Sequence, residues 1–224
     1  MATTQGDDGV ARRIEAGRLL FAKPWRFVVG VASASDLPPS GADEVAFAGR
    51  SNVGKSSLLN AIAGQKALAR ISNTPGRTRQ INLFTADAGV VIADLPGYGH
   101  ARAPKREIAR WTRTVFDYLR GRSRLRRVYL LVDGRHGLKA NDGEALDILD
   151  AAAVSWQIVL TKCDKLRPDA VDAIVGETAA AIASRPAGHP AIIATSARTG
   201  LGIDRLRAEI AEIAAATPIG DDGL

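Results

Sequence analysis

The stretch that decides the fold of this chain reads Gly49-Arg50-Ser51-Asn52-Val53-Gly54-Lys55-Ser56. It matches G-x-x-x-x-G-K-[ST], the pattern of the P-loop that cradles nucleotide phosphates. An apolar run, EVAFA, precedes it, and a helical pattern, KSSLLNAIAG, follows it. Glycines let the backbone turn its N–H groups toward phosphates, and a helix N-terminus favours negative charge. We therefore predict a P-loop in which Lys55 binds the β- and γ-phosphates and Ser56 ligates Mg²⁺.

Short apolar runs and helical patterns alternate along the rest of the chain. The predicted strands are 26–32, 44–49, 81–86, 90–97, 128–133, 156–162 and 191–197. The predicted helices are 55–64, 107–120, 142–152, 169–184 and 203–215. Continuous β-branched runs are typical of strands buried on both faces, and their alternation with helices predicts a mostly parallel sheet. The predicted fold class is α/β, a P-loop NTPase with helices on both faces of the sheet. Because Asp87-Ala88-Gly89 has the character of a hairpin turn, one antiparallel edge strand is expected.

The composition is that of one globular domain. The 224 residues are 46% hydrophobic and 24% charged, with one cysteine and three histidines, which argues against a disulfide framework and a dedicated metal cage. We expect a flexible, polar and partly helical leader (1–22), one main domain (23–216) and a tail (217–224). The leader lacks an apolar signal-peptide core, no eighteen apolar residues run together, and no coiled-coil heptads occur. These observations predict a cytoplasmic monomer without a membrane span.

Asp94-Leu95-Pro96-Gly97 closes the apolar run VVIADLPG. A carboxylate at the carboxyl end of a strand beside a P-loop can reach Mg²⁺, usually through a water molecule. A glycine can offer its backbone N–H to a γ-phosphate because no side chain blocks the approach. We therefore assign Asp94 to the Mg²⁺ shell and Gly97 to the γ-phosphate.

Thr161-Lys162-Cys163-Asp164 follows the predicted strand WQIVL and has the N/T-K-x-D form found in GTP-binding proteins. A carboxylate here accepts from N1–H and the 2-amino group of guanine, whereas adenine would leave its charge unpaired. Lys162 is expected to lie along the base and to brace the P-loop. Thr195-Ser196-Ala197 is expected to place a backbone N–H near guanine O6. Together with the P-loop, these motifs predict that the ligand is GTP or GDP and that residues 23–216 form a G domain of the Ras-like type.

The segment SNTPGRTRQ (72–80) is predicted to be a loop, because it is rich in glycine, proline and polar residues. A switch threonine in such a loop binds Mg²⁺ through its hydroxyl and the γ-phosphate through its backbone N–H. Thr74 and Thr78 are both candidates, and the chemistry alone does not choose between them.

The combination of GRSNVGKSSLLNA, TPGRTRQIN, DLPGYG, VDGRHG and TKCDK resembles the EngB family of bacterial GTPases, in the TrmE–Era–EngA–EngB–septin group. The resemblance covers the region 25–215. It implies a GTPase that assists late assembly of the large ribosomal subunit and is needed for normal cell division and septation. It also implies that Thr78 is the switch threonine, so that Lys55, Thr78 and Gly97 are the catalytic candidates and Ser56 and Thr78 ligate Mg²⁺ directly.

Five segments are thus expected to contact the nucleotide. They contain Gly49, Arg50, Ser51, Asn52, Val53, Gly54, Lys55, Ser56, Gly76, Arg77, Thr78, Arg79, Gln80, Asp94, Leu95, Pro96, Gly97, Thr161, Lys162, Cys163, Asp164, Thr195, Ser196 and Ala197.

Two residues bear on the rate of hydrolysis. Tyr98 follows Gly97 at the position where Ras-like proteins carry the glutamine that orients the attacking water. A tyrosine has no amide for that task, so intrinsic hydrolysis is expected to be slow. Asn52 has two interpretations: a helper for K⁺ in place of an arginine finger, or a loop residue that tolerates left-handed geometry.

The positive charge of the chain is concentrated in one stretch. The net charge is +6, and Arg102–Arg127 alone has ten basic and two acidic residues, a local charge of +8. Arginines of this density bind phosphate backbones, and a solvated loop at the sheet edge is the alternative. We favour RNA, recognised by shape and backbone, and therefore predict the large ribosomal subunit or its rRNA as the partner.

Two classes of function remain open at this point. The first is a GTPase switch that docks on a pre-ribosomal particle and is released after hydrolysis. The second is a nucleotide-regulated binding module that acts directly on the division machinery. The basic stretch favours the first, because division proteins offer no dense polyanion.

Overall fold

The computed structural model describes residues 4–69, 80–86, 89–98 and 105–216, and for 4–7 and 105–111 it describes the backbone alone. The helices are α1 (Thr4–Ala22), α2 (Lys55–Ala63), α3 (Lys105–Gly121), α4 (Ala140–Ala151), α5 (Pro168–Ile182) and α6 (Ile203–Ala215). The strands are β1 (Arg26–Val31), β2 (Asp43–Gly49), β3 (Ile81–Thr85), β4 (Val90–Asp94), β5 (Leu125–Asp133), β6 (Trp156–Thr161) and β7 (Ile193–Ala194). Every strand and helix predicted from the sequence is present, and α1 covers most of the leader that was expected to be only partly helical.

The strands form one sheet in the order β1-β3-β4-β2-β5-β6-β7. From β4 to β7 the neighbours pair in parallel, whereas β3 is antiparallel to both β1 and β4. The predicted fold class is therefore confirmed, and the antiparallel strand comes from the expected hairpin of β3 and β4. β3 was expected to be the edge strand. It is the second strand of the sheet, because β1 pairs with its outer side and forms the edge.

The two faces of the sheet bury separate cores, because side chains alternate along a strand. From β2, Val45 and Phe47 pack into the core that contains α1, α2 and α6. Ala46 and Ala48 pack into the core that contains α3, α4 and α5. All seven residues of β2 are buried. The strand that leads into the P-loop is therefore anchored from both faces.

Helix α1 differs from the flexible leader that the sequence suggested for residues 1–22. Gly17 lies so close to α6 that an added Cβ would come within 2.6 Å of the Ala208 backbone nitrogen. Phe21 is buried and stacks on Trp25, with ring centroids 5.0 Å apart. The helix is therefore packed against the domain. The sequence did not reveal this packing because most side chains of α1 are exposed, so few apolar positions mark a buried face.

Two further expectations concern the ends of the chain and membranes. The tail predicted for 217–224 lies outside the described residues. Within the part of the chain that the structure describes, no helix combines the length and the apolar character required to cross a bilayer.

Candidate functional site

The P-loop joins the end of β2 to the start of α2, and its shape depends on two positive φ angles. Gly54 has φ 106° and Asn52 has φ 65°. The first angle favours glycine because a Cβ would be strained there, and asparagine tolerates the second better than most residues. The Val53 N–H donates to the Arg50 carbonyl at 3.1 Å and closes the turn. The loop thus brings the N-terminus of α2, a favourable place for an anion, to the carboxyl edge of the sheet.

Lys55 and Asp94 form an ion pair at this edge. β4 pairs with β2 so that Asp94 lies opposite Phe47, which places the carboxylate beside the P-loop. Both side chains are nearly buried, at 10% and 5% exposure. Ser56 follows Lys55 in the first turn of α2 and is half-buried. The lysine and carboxylate that the sequence assigned to phosphate and metal are therefore in contact, with the predicted hydroxyl next in the chain.

The backbone after Asp94 runs along the P-loop. The Leu95 N–H donates to Phe47 C=O at 2.9 Å, and the Ser51 N–H donates to Tyr98 C=O at 2.9 Å. A Cβ added at Gly97 would lie 3.2 Å from the Ser51 hydroxyl oxygen. The segment predicted to meet the γ-phosphate is therefore adjacent to the segment predicted to surround the phosphates.

Hydrogen bonds tie the P-loop to the end of β6. The Lys162 ammonium donates to Asn52 C=O at 2.6 Å, and the Thr161 hydroxyl donates to Val53 C=O at 2.6 Å. Lys162 itself has φ 59°, a left-handed conformation that turns the chain sharply after the strand. The expected contact between Lys162 and the P-loop is thus made through a carbonyl of the loop.

Asp133 is a site residue that the sequence analysis did not assign. It accepts from the Lys162 ammonium at 3.0 Å and from the Arg135 Nε at 2.9 Å. Burial would raise the pKa of Asp133, but the hydrogen bonds from Arg135 and Lys162 outweigh burial and lower it well below its ordinary value. An ionised carboxylate therefore orients Lys162. The sequence signal that could have identified Asp133 is its position at the end of the predicted strand β5. In the structure it lies directly opposite Thr161 of β6.

Asp164 lies between two donors from the segment that follows β7. The Ser196 hydroxyl donates to Oδ1 and the Arg198 Nε donates to Oδ2, both at 2.7 Å. These hydrogen bonds lower the pKa of Asp164, so that its carboxylate is ionised at neutral pH. The two motifs predicted for the base, 32 residues apart in the chain, are thus in direct contact.

Cys163 and Thr195 support these motifs through backbone bonds. The Cys163 N–H donates to Thr195 C=O at 3.1 Å, and the Thr195 N–H donates to Leu160 C=O at 2.7 Å. The Cys163 side chain is buried, and burial raises the pKa of its thiol. Its side chain therefore packs beneath the site as a neutral thiol.

A cavity of about 580 Å³ opens between α2 and the two base motifs. Its wall includes Gly54 and Leu58 on one side and Lys162, Asp164 and Ala197 on the other. This volume lies within the range of small-molecule sites. The cavity therefore adjoins the residues predicted for the base and reaches the end of the P-loop at Gly54.

The predicted switch segment cannot be placed in this geometry. Thr74, Gly76, Arg77, Thr78 and Arg79 lie outside the described residues. Gln80, which directly precedes β3, is exposed. The contacts expected of these residues stay predictions.

The prediction that the basic stretch 102–127 contacts RNA has to be corrected for the arginines near its end. Arg122 donates from Nε to Glu44 at 3.0 Å, and it is only 10% exposed while Glu44 is fully buried. Arg126 donates from Nε to the buried Asp43 at 2.8 Å. These arginines neutralise acids at the start of β2 and are therefore not free surface charges.

The sequence placed the start of β5 at residue 128, whereas the strand begins at Leu125. Arg126 and Arg127 consequently lie inside the strand, in register with β2, whose first residues are acidic. Arg127 donates to Gln157 at 2.9 Å. Among the described arginines of the basic stretch, Arg113, Arg120 and Arg126 are exposed, and Arg126 is already paired with Asp43.

Similar sequences share the name of one bacterial GTP-binding protein. A family model described as a 50S ribosome-binding GTPase matches residues 44–162. The probable GTP-binding protein EngB of Rhizobium leguminosarum bv. trifolii is 55% identical over 207 residues, which cover 88% of this chain and 95% of the relative. The protein of the same name from Brucella melitensis is 56% identical over 206 residues, which cover 88% of this chain and 86% of the relative.

Solved structures of GTP-binding proteins also resemble the fold of this chain. A crystal structure of a probable GTP-binding protein engB superposes with a TM-score of 0.62 at 26% identity, covering 78% of this chain and 100% of that one. Era from Aquifex aeolicus superposes with a TM-score of 0.63 at 24% identity, covering 76% of this chain and 56% of that one. The similarity to Era, at 24% identity, shows only that the two proteins share a fold.

Proposed function

The chain belongs to the EngB family of GTP-binding proteins, and we propose that its cycle of GTP binding and hydrolysis serves late assembly of the large ribosomal subunit. The family is one of GTPases, so the protein hydrolyses GTP to GDP and phosphate. The observation that carries the proposal is a cavity bordered both by α2, the helix that begins at Lys55, and by Asp164. The description of the matching family as 50S ribosome-binding supports the proposed partner.

The residues at the phosphate end have separate tasks. Lys55, which the structure pairs with Asp94, would exchange this carboxylate for the β- and γ-phosphates of the nucleotide, which carry more negative charge. The P-loop N–H groups and the N-terminus of α2 would hold the same phosphates. We assign transition-state stabilisation to Lys55 and to the backbone N–H groups of Gly97 and Thr78, because charge develops on the γ-phosphate oxygens.

Mg²⁺ suits the oxygen donors at this end of the site. The Ser56 hydroxyl and, through water, the Asp94 carboxylate would hold it, with Thr78 as a further proposed ligand. In the described residues no three His, Cys, Asp or Glu side chains lie together as a metal-binding cluster. Such a cluster is not required here, because Mg²⁺ bound with nucleotides usually takes phosphate oxygens and waters as its other ligands. When bound, the ion neutralises charge on the phosphates.

The base end selects guanine through Asp164. Its ionised carboxylate would accept from N1–H and the 2-amino group, while Ser196 and Arg198 hold it in place. Lys162, held by Asp133 and Asn52, would lie along the base. Adenine offers neither donor and would leave the carboxylate charge unpaired, so discrimination against ATP follows from the same side chain.

The first test concerns turnover by the isolated protein. Hydrolysis should be slow and should require Mg²⁺, because the Tyr98 side chain is buried and cannot orient an attacking water. We further propose that K⁺ supports catalysis through Asn52, so the rate should rise by about tenfold when K⁺ replaces Na⁺, the equivalent of 1.4 kcal/mol. Release of phosphate, followed in both salts, measures the effect.

The control for this test is Asn52→Gly, which keeps the left-handed backbone at φ 65° and removes only the amide. The variant should lose its response to K⁺ and retain GDP binding. Equal rates in Na⁺ and K⁺ for the unmodified protein, or an undiminished K⁺ response in the variant, would contradict the role of Asn52.

The second test concerns the ribosomal partner. Of the basic stretch, the exposed Arg113 and Arg120 are the described side chains best suited to phosphate contacts. The large subunit should co-sediment more of the protein with a non-hydrolysable GTP analogue than with GDP. Reversal of both charges, Arg113→Glu with Arg120→Glu, should weaken docking by about tenfold or more at low salt, because phosphate contacts dominate such affinities.

A matched charge reversal is Arg12→Glu with Arg167→Glu, two exposed arginines outside the basic stretch. It should leave docking nearly unchanged. Arg122 and Arg126 are unsuitable for this test, because their loss would leave Glu44 and Asp43 as buried charges. Docking that survives the α3 reversal would show that the ribosome contact lies elsewhere.

The role in cell division and septation is proposed as a consequence of ribosome assembly, in a cytoplasmic monomer. The alternative, a nucleotide-regulated module acting directly on division proteins, predicts no GTP-dependent co-sedimentation with the large subunit. The same experiment therefore separates the two classes of function.

A further inference from the structure

Asp142, in the first turn of α4, is a carboxylate with no exposed side-chain surface. Its Oδ2 accepts the Lys139 backbone N–H at 2.9 Å and so caps the helix. Its Oδ1 accepts the Tyr98 hydroxyl at 2.8 Å and lies 3.2 Å from the Arg50 Nε. The P-loop, the segment after β4 and the start of α4 therefore meet at one buried carboxylate.

Tyr98 is held through both its backbone and its side chain. Its C=O accepts the Ser51 N–H at 2.9 Å, and its N–H donates to Gly49 C=O at 3.3 Å. Burial and the adjacent Asp142 carboxylate raise the pKa of Tyr98 well above its ordinary value. The hydroxyl therefore keeps its proton at neutral pH and remains a hydrogen-bond donor to Asp142.

Gly97 lies between two anchored residues, Leu95 on one side and Tyr98 on the other. Among the residues that the structure describes, nothing accepts a hydrogen bond from the Gly97 N–H. This donor is thus held beside the P-loop without an internal acceptor. The proposed function assigns it to the γ-phosphate, the group that GTP has and GDP lacks.

We propose that Tyr98 is a positioning residue for γ-phosphate recognition, with its hydroxyl anchored on Asp142 so that the Gly97 backbone is held against the P-loop. The proposal rests on the nucleotide site described above. A donor that is already ordered loses less conformational entropy on binding than one that must be ordered. Release of the anchor should therefore weaken GTP binding and leave GDP binding largely unaffected.

The test is Tyr98→Phe, which removes the hydroxyl and keeps the buried ring. Affinities for guanosine 5′-(β,γ-imido)triphosphate and for GDP are measured by fluorescence titration in Mg²⁺. The affinity for the triphosphate should fall by about fivefold, the effect of one hydrogen bond, and that for GDP by no more than about twofold. Single-turnover hydrolysis of GTP should slow by a similar factor.

The matched control is Tyr118→Phe, which removes another buried hydroxyl bonded to a carboxylate, Glu44 Oε2 at 3.1 Å. Glu44 lies at the amino end of β2, away from the P-loop. This variant should melt at a lower temperature and keep the triphosphate-to-diphosphate affinity ratio. If Tyr98→Phe fails to fold, Asp142→Asn is the second variant. Its amide oxygen can still cap α4, but its uncharged amide holds the Tyr98 hydroxyl more weakly and no longer pairs with Arg50, so it should shift the ratio in the same direction.

Each result decides a different point. An unchanged ratio in Tyr98→Phe, or an equal shift in Tyr118→Phe, would overturn the positioning role and leave the nucleotide site intact. Failure of the nucleotide site would appear in the unmodified protein, as absent binding of both nucleotides, and would overturn both proposals.

Discussion

Replacement of Asp164 by asparagine is expected to lower the affinity for GDP by about a hundredfold or more, the cost of two hydrogen bonds to a charged group. The carboxylate offers acceptors to both guanine donors, and an amide turns one acceptor into a donor. Xanthine carries a carbonyl oxygen where guanine carries its 2-amino group, so xanthosine diphosphate should bind the variant more tightly than GDP does. Calorimetric titrations with GDP and with xanthosine diphosphate measure this reversal of nucleotide preference.

The fold should tolerate this change, because the Ser196 hydroxyl can donate to an asparagine carbonyl as it does to Asp164. Asp169→Asn is the matched control, since it removes an exposed carboxylate in the first turn of α5 that accepts from Arg167 at 3.1 Å. This control should bind GDP like the unmodified protein. Undiminished GDP affinity in Asp164→Asn would remove Asp164 from the base site.

Removal of the Lys55 ammonium is expected to have two effects. Lys55→Ala should weaken GTP and GDP binding by about a hundredfold, because charge-assisted bonds to the phosphates are lost. It should also lower the free energy of unfolding by about 3 kcal/mol, because Asp94 becomes a buried carboxylate without its cation. Nucleotide titration measures the first effect, and urea denaturation without nucleotide measures the second.

A double variant separates the two effects of Lys55. Lys55→Ala with Asp94→Asn removes both members of the buried pair, so most of the lost stability should return. Nucleotide affinity should stay low, because the phosphates still lack their lysine. Tight nucleotide binding by either variant would show that Lys55 does not hold the phosphates. Stability that does not return would show that the ion pair is not the cause of the loss.

The coupling of Asp133 to Lys162 adds a constraint on the base site. Lys162 bridges a carbonyl of the P-loop and a carboxylate of β5. The P-loop and the end of β5 are therefore joined by one side chain, and its position depends on an ionised Asp133. The lowered pKa of Asp133 keeps this carboxylate ionised even at pH values below its ordinary pKa, and the contact weakens only when stronger acid protonates it.

Much of the fold and of the site was predictable from the sequence, because local patterns determine them. The P-loop pattern and the runs of β-branched residues specify strand, loop and helix without reference to distant residues. In a parallel sheet the carboxyl ends of the strands meet at one edge. Asp94, at the end of β4, therefore had to lie near the loop that leaves β2, and Asp164 had to lie at the same edge.

Interactions between distant residues were decided only by the tertiary structure. Arg122 is bonded to Glu44, 78 residues away, and Tyr98 to Asp142, 44 residues away. A charged or aromatic residue looks the same in a sequence whether its partner is solvent, nucleic acid or a buried acid, since burial and pairing depend on which strands become neighbours. The sequence therefore determined the motifs, their order and the edge at which they meet. The three-dimensional packing decided which arginines are neutralised inside the fold, that α1 packs on α6, and how Gly97 is held against the P-loop.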